Sequence, residues 1–397
     1  MSHPGGGLPG ALVPFHWRWF FKKYAVLLRA GEPLRRVFGE AAIRLALLGA
    51  VQAGWLADEA LTPGWRHAPF RGPLFILGHQ RSGTTFLHRL LAHDQRLLGL
   101  RLHEQLLPAT SLQRALAAVA AADARLGGAL TARVHATEER LFGPLDDIHR
   151  LRFGEVEEDE FVLWGLFASI MAANDTPRAA ASAALDGLRD FASWPTRAQD
   201  EALGYYRAVL QKAAWRATPS GAAPPWMLAK NPAFTQKIAA LRRVFPEARC
   251  VLVHRDPLEA IPSRLSLVRA IWRRRVPGFT EMSVVQVETI VRDSLRTYHA
   301  ALHAASTISG DELVVVAYPA LRKDPAGEVA RALSRLGLGA PDPALARALG
   351  ALPAAGASGH RYGLEDFGLT REGLAARLGD AAAPPPDPVT GPSSPRT

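Results

Sequence analysis

Leu74-Phe-Ile-Leu-Gly-His-Gln-Arg-Ser-Gly-Thr-Thr85 is the stretch that decides the fold. Leu74 to Leu77 is a short, wholly apolar run of the kind a buried strand needs. Gly78 to Gly83 is a glycine-bounded turn, and Thr84 to Leu91 has helical spacing. A turn that leaves a strand and opens a helix offers backbone N–H groups and the positive end of the helix dipole to an anion. The spacing resembles G-x-x-x-x-G-K-[ST], but Thr84 stands where the lysine would be. The cation is Arg81, inside the loop. The pattern favours a bound phosphate and argues against hydrolysis of a nucleoside triphosphate, which relies on that lysine.

Outward from this loop, Leu97 to Leu102, Trp226 to Lys230, Cys250 to His254 and Leu313 to Ala317 read as further strands. Helical patterns over Phe234 to Phe245, Glu281 to Ala305 and Ala326 to Gly337 separate them. Strands alternating with helices predict an α/β fold, a P-loop-like parallel sheet flanked by helices. Gln105 to Arg216 is almost entirely helical by pattern and reads as a large insertion capping the sheet. The expected organisation is an N-terminal helical, basic-aromatic segment (1–70), a main domain (71–380, with 105–216 as its helical insertion) and a disordered Pro-rich tail (381–397).

Composition narrows the function. The chain has 397 residues, 48% hydrophobic and 21% charged, which suits a globular protein and excludes disorder over most of its length. Its single cysteine, Cys250, excludes a disulfide framework. Set in Arg249-Cys-Val-Leu-Val-His254, it reads as a buried, inert thiol. Leu45 to Ala57 and Phe161 to Ala173 fall short of the ~20 apolar residues of a bilayer span. The start, Met-Ser-His-Pro-Gly-Gly-Gly, is unlike a signal peptide, so a cytoplasmic setting is expected. A net charge of +10 favours anionic partners, yet no nucleic-acid-binding signature accompanies it, and nucleic acid is not expected. His88 with His93, and His299 with His303, lack a thiolate or carboxylate to complete a ligand set, so no metal is expected.

Val251-Leu-Val-His-Arg-Asp-Pro-Leu-Glu-Ala-Ile-Pro-Ser263 is a second strand-to-helix turn. Asp256 suits the helix cap and Pro257 its first position. Arg255 then projects from the strand end, and Ser263 lies about two turns into the helix, so both can reach one phosphate. Pro262 is expected to kink that helix or delay its regular part.

Together these elements resemble the sulfotransferase superfamily, in its bacterial "type 3" branch. Gln80-Arg-Ser-Gly-Thr-Thr85 is similar to that family's 5′-phosphosulfate loop, and Arg255-Asp-Pro257 with Ser263 to its 3′-phosphate motif. Val316-Ala-Tyr-Pro-Ala-Leu-Arg-Lys-Asp-Pro325 is similar to its Y-E-D-L-x-x-D-P segment, and His360 to Leu369 to a stretch common in bacterial members. The resemblance covers roughly residues 70 to 380 and implies 3′-phosphoadenosine 5′-phosphosulfate (PAPS) as donor, with no metal required. It implies donor contacts from Arg81, Ser82, Gly83, Thr84, Thr85, Arg255, Ser263 and Tyr318. Lys230-Asn-Pro-Ala-Phe234 departs from the cytosolic branch, which has a catalytic histidine there. By analogy with other branches, Glu104 is the catalytic base, with His103 as runner-up. Arg81 and Lys230 would neutralise the moving sulfuryl group and the leaving phosphate. The acidic run Glu155 to Glu160 is either the charged first turn of a buried helix or, through Glu157 and Asp159, a lining for the acceptor. The acceptor is expected to be a small molecule, lipid or glycan bearing a hydroxyl or amine. A P-loop kinase, or an inactive nucleotide-binding or membrane-adaptor protein, is the alternative.

At the N-terminus, Trp17, Phe20, Phe21, Tyr24, Leu27 and Leu28 fall on one helical stripe, and Arg18, Lys22 and Arg29 on another. Residues 1–50 carry seven Lys or Arg and two Asp or Glu. The pattern of residues 15–29 fits either a helix packed on its own domain or a homodimer, or peripheral contact with an anionic membrane.

Overall fold

The computed structural model describes residues 10, 12–146, 150–219, 221–353 and 363–388. In chain order, its main elements begin with α1 (Trp17–Arg29), α2 (Leu34–Leu61), β1 (Arg71–Gly78), α3 (Thr84–Leu91), β2 (Leu97–Gly99) and α4 (Leu102–Leu106). Then come α5 (Thr110–Arg125), α6 (Ala129–Phe142), α7 (Glu160–Gly165), α8 (Thr196–Ala217), β3 (Trp226–Lys230) and α9 (Ile238–Val244). The chain continues through β4 (Arg249–His254), α10 (Pro257–Arg275), α11 (Val284–Thr307), β5 (Leu313–Ala317), α12 (Tyr318–Lys323) and α13 (Pro325–Arg335). It forms two compact units. The helical one comprises Met1–Phe70, Leu100–Pro224 and Ala270–Thr280, and the sheet one Arg71–Gly99, Pro225–Arg269 and Glu281–Thr397.

The sheet has the order β2-β3-β1-β4-β5, and every pairing in it is parallel. The side chains of β1 alternate between two cores. Leu74 and Ile76 join Val251, Val253, Val314 and Val316 against Leu87 and Leu90 of α3 and Leu333 of α13. Phe75, on the opposite face, meets the rings of Phe234 and Phe245, each with centroids 5.6 Å away. Each such buried side chain stabilises the fold by roughly 1.5–3 kcal/mol. Because both faces are covered, the strands read as continuous apolar runs.

Four expectations are corrected. Phe234 to Phe245 is not one α-helix: Asn231 caps a 3-10 turn, Pro232–Lys237, and α9 starts only at Ile238. The strand expected from Leu97 to Leu102 stops at Gly99, and Arg101 forms an isolated bridge with Val156. Pro262 does not delay α10, which begins at Pro257 and includes it; five residues from the start, its missing N–H costs one hydrogen bond. The tail expected to be disordered from residue 381 is placed as far as Pro388, where Asp387 accepts the Val315 N–H at 2.9 Å and pairs with Arg331 at 3.1 Å.

In the helical unit, α1 divides its aromatic stripe. Phe20, Tyr24 and Leu27 are buried, while Trp17, Phe21 and Leu28 face outward. Helix α2 also departs from expectation, since by length and composition it could cross a membrane. The apolar run read from Leu45 to Ala57 was too short because Glu40 and Arg44 interrupt it, although both charges lie on one side of the helix.

Candidate active site

In the sheet unit, the loops that follow β1, β3, β4 and β5 gather at the carboxyl edge of the strands, where open parallel sheets bind ligands. β1 ends at Gly78, whose φ is +137°. A Cβ there would lie 2.4 Å from the Val253 carbonyl oxygen, so only glycine lets β1 and β4 approach so closely. The Gly78 N–H donates to Thr235 Oγ1 at 2.8 Å, and that hydroxyl donates back to the Gly78 carbonyl at 3.2 Å. The turn after β3 therefore clamps the start of the loop.

Arg81 adopts φ +69° and Gly83 φ +87°, and the Ser82 N–H donates to the His79 carbonyl at 3.2 Å. This winding leads into α3, whose first N–H groups have no acceptor inside the helix. Arg81 Nε donates to Ser263 Oγ at 3.1 Å, and Arg255 Nη1 donates to the Arg81 carbonyl at 2.9 Å. The Arg255 guanidinium sits 4.9 Å over the Tyr318 ring. That ring lies flush against Gly83, where a Cβ would come within 2.6 Å of it. Lys230 is buried and donates to Thr85 Oγ1 at 3.0 Å. The structure thus brings together Arg81, Ser82, Gly83, Thr84, Thr85, Lys230, Arg255, Ser263 and Tyr318.

Two supporting residues were missed from sequence. Tyr298, in the middle of α11, donates its hydroxyl to the Arg255 carbonyl at 3.0 Å and stacks on His79 with centroids 4.9 Å apart. Thr235 is the clamp already described. A tyrosine in mid-helix carries no sequence signal, whereas Thr235 lies next to the Asn-Pro turn that could have drawn attention to it. Burial, reinforced by the Arg264 and Arg255 cations, holds the His79 imidazole well below its ordinary value. It is therefore neutral and adds no charge to the loop. Arg81, Lys230 and Arg255 gather three cations at this edge, and Glu259, which pairs with Arg255 at 3.2 Å, is an exposed carboxylate beside them.

Glu104 belongs to the helical unit, on the first turn of α4. One carboxylate oxygen accepts the Arg101 N–H at 3.0 Å, and the other takes Arg216 Nη2 at 2.6 Å. His103 is held below its ordinary value by burial, against the raising influence of Glu104. Glu157, Asp159 and Glu160 are all buried. Asp159 accepts the Tyr206 hydroxyl and Glu160 that of Ser169, so these two serve the packing around α7. In the same unit a cavity of about 20 Å³ is walled by Leu47, Leu48, Val51, Leu106, Phe161 and Leu166, among others. Its wall includes Gln105 and Leu106, directly after Glu104, and it draws on α2 as well as on the stretch 105–216. His360, Arg361 and Tyr362 lie outside the described residues.

The model of the sulfotransferase family matches residues 73–342, and the chain belongs to that family. It is 27% identical over 277 residues to the omega-hydroxy-beta-dihydromenaquinone-9 sulfotransferase Stf3 of Mycobacterium bovis and, equally, to that of Mycobacterium tuberculosis. The match takes in 67% of this chain and spans 63% of the length of those relatives. Among solved structures, sulfotransferase STF1 of Mycobacterium tuberculosis shares the fold with a TM-score of 0.62 at 20% identity, over 91% of this chain and 92% of that one. Sulfotransferase STF9 of Mycobacterium avium does so with a TM-score of 0.64 at 19% identity, over 86% and 84%.

Proposed function

We propose that the protein transfers a sulfuryl group from PAPS to a hydroxyl on a small lipophilic acceptor. The observation that carries this reading is the joining of the strand ends of β1, β4 and β5 through Arg81, Ser263, Arg255 and Tyr318, which suits a nucleotide with phosphates at both ends of its ribose. The donor brings a sulfur–oxygen bond activated by its 5′-phosphate. The N–H groups that open α3, with Thr84 and Thr85, would hold that phosphate, and Arg255 with Ser263 the 3′-phosphate. Tyr318 would offer its ring to the adenine. Arg81 and Lys230 offset the charge that develops as the acceptor oxygen bonds to sulfur and the sulfur–phosphate oxygen bond breaks. Glu104 takes the acceptor's proton, and adenosine 3′,5′-bisphosphate leaves.

The apolar cavity beside α4 and the name of the mycobacterial relative support a lipophilic acceptor. At about 20 Å³ the cavity holds no more than a water, so an acceptor would have to displace the half-buried Leu47, Leu48 and Phe161. A cytoplasmic location belongs to the same reading, supported by the lone thiol buried in β4. So does membrane contact through Trp17, Phe21 and Leu28 of residues 15–29; a homodimer is the competing use of those side chains.

Thermal unfolding with adenosine 3′,5′-bisphosphate, ADP or Mg-ATP tests the donor. At 100 times its Kd a ligand adds about 2.7 kcal/mol to stability. Selective stabilisation by the bisphosphate, lost in Arg255→Ala, is the expected result. A preference for Mg-ATP would replace this reading with a kinase. Bisphosphate binding without transfer from PAPS to any hydroxylated lipid would favour the inactive adaptor.

A further inference from the structure

The helical unit keeps most of the described chain's exposed large apolar side chains, and they follow a pattern. On α2, Leu34, Phe38, Ile43, Leu45, Leu56 and Leu61 are between 41% and 74% exposed. At 100° per residue, Phe38, Ala42, Leu45, Gly49, Ala53 and Leu56 form one outward face. After Arg35 and Arg36 that face carries no charge for the rest of the helix, roughly 37 Å at 1.5 Å per residue. Glu40, Arg44 and Asp58 point the other way and are paired within the unit, and Glu59, at the margin of the face, pairs with Arg66 at 2.8 Å. Arg44 meets Glu40 at 3.2 Å and lies over the Trp164 ring, while Asp58 takes Lys212 Nζ at 2.6 Å and the Thr110 N–H at 2.7 Å. A helix anchored this way on one side lies along a surface; crossing a bilayer would strand those ion pairs in hydrocarbon.

The α5–α6 hairpin repeats the composition. Leu116, Val119, Leu126, Leu130 and Val134 are exposed. Between Arg114 and Thr137 the only carboxylate is Asp123, which is buried and caps α6 through the Leu130 and Thr131 N–H groups. Arg125 and Arg133 are exposed on this hairpin, as Arg18 and Arg29 are on α1 and Arg35 is on α2. Glu139, near the end of α6, is an exposed carboxylate but is paired with Arg152 at 3.1 Å. Exposed apolar faces bordered by cations complement an apolar layer beneath anionic headgroups.

We propose that the outward face of α2, with the α5–α6 hairpin, docks the protein on the surface of an anionic lipid bilayer. Helix α2 would lie in the interface, its outer face among the acyl chains, while Leu47, Leu48 and Val51 on its inner side wall the cavity next to α4. A lipophilic acceptor could then pass from bilayer to cavity around a single helix; that consequence rests on the proposed transferase activity, but the docking does not.

The test is flotation of the full chain with phosphatidylcholine vesicles, with and without phosphatidylglycerol. Flotation is expected with the anionic vesicles and should weaken with added salt. Ala42→Glu/Ala53→Glu places charges on exposed positions of the face, where no packing is lost, and should lower the bound fraction about tenfold or more. Its melting temperature and its shift with the bisphosphate should match wild type. No flotation of wild type, or flotation that the double variant retains, overturns the proposal. So does a wild-type dimer in light scattering that the same substitutions dissolve, which would give the face to a second copy. No donor enters the flotation assay, so failure here leaves the transferase reading standing, and failure of bisphosphate binding leaves the docking standing.

Discussion

Gly83→Ala should break the donor site by two routes that can be separated. Gly83 has φ +87°, a conformation that costs a residue with a Cβ roughly 1–2 kcal/mol. The new Cβ would also lie 2.6 Å from Tyr318 Cδ2 and 2.8 Å from Cε2. The ring must swing away and give up its place under Arg255, 4.9 Å from the guanidinium, which is worth about 0.5–1 kcal/mol at a partly exposed site. Together this is a loss of about 2 kcal/mol, or about 4–8 °C in melting temperature for a unit of this size. If Tyr318 also stacks on the adenine, bisphosphate affinity should fall about tenfold or more, since a base–aromatic stack is worth about 1–3 kcal/mol. A double-mutant cycle with Tyr318→Ala decides the matter, read by denaturant titration and bisphosphate binding. In the Tyr318→Ala background, Gly83→Ala should show only its backbone cost. A single Gly83→Ala change that leaves both stability and affinity within error of wild type would refute the argument, as would full additivity of the two substitutions.

Lys230→Met removes the buried ammonium from Thr85 and should slow transfer by about 10²–10³, the usual loss when a preorganised charge donor is deleted; a change under tenfold in single-turnover assays would count against its role. Glu104→Gln retains an acceptor for the Arg101 N–H but loses the proton-accepting charge, so transfer should fall about 10²–10⁴ with bisphosphate affinity unchanged. Burial holds His16 down to about 4 and also lowers His79, His103 and His254, so the folded chain keeps them neutral after the unfolded chain begins to take up protons near pH 6.5. Their contribution is therefore intact above about pH 6.5 and is lost as pH falls toward the folded values; the urea midpoint should drop between pH 7.5 and 5, less steeply in His79→Gln. Cys250, fully buried in β4 and pushed up to about 12, should resist thiol reagents in the native protein and react at once in denaturant.

The strand–turn–helix proposed to hold the donor was legible as structure because its requirements are local. A strand end, a glycine at positive φ and a helix start must follow one another in the chain, and Leu74 to Leu91 carries all three in order. β5 and α3 were read to the residue for the same reason: each is a compact run whose own pattern sets its limits. Legibility failed where a neighbour decided the outcome. Asn231 and Pro232 turned an expected helix start into a 3-10 turn, and ion pairs drew the charges of α2 inward, exposing an apolar face that the linear string conceals.

The sequence by itself determined an α/β protein with a parallel sheet and a glycine-bounded strand-to-helix loop at Gly78 to Thr85, because hydrophobic period and glycine position act over a few residues. Only the tertiary structure decided that Arg81 meets Ser263, that Tyr318 rests on Gly83 and that Tyr298 braces both loops, since these partners lie scores to hundreds of residues apart in the chain. Contacts of that range depend on the order in which strands pair, and no local pattern encodes that order.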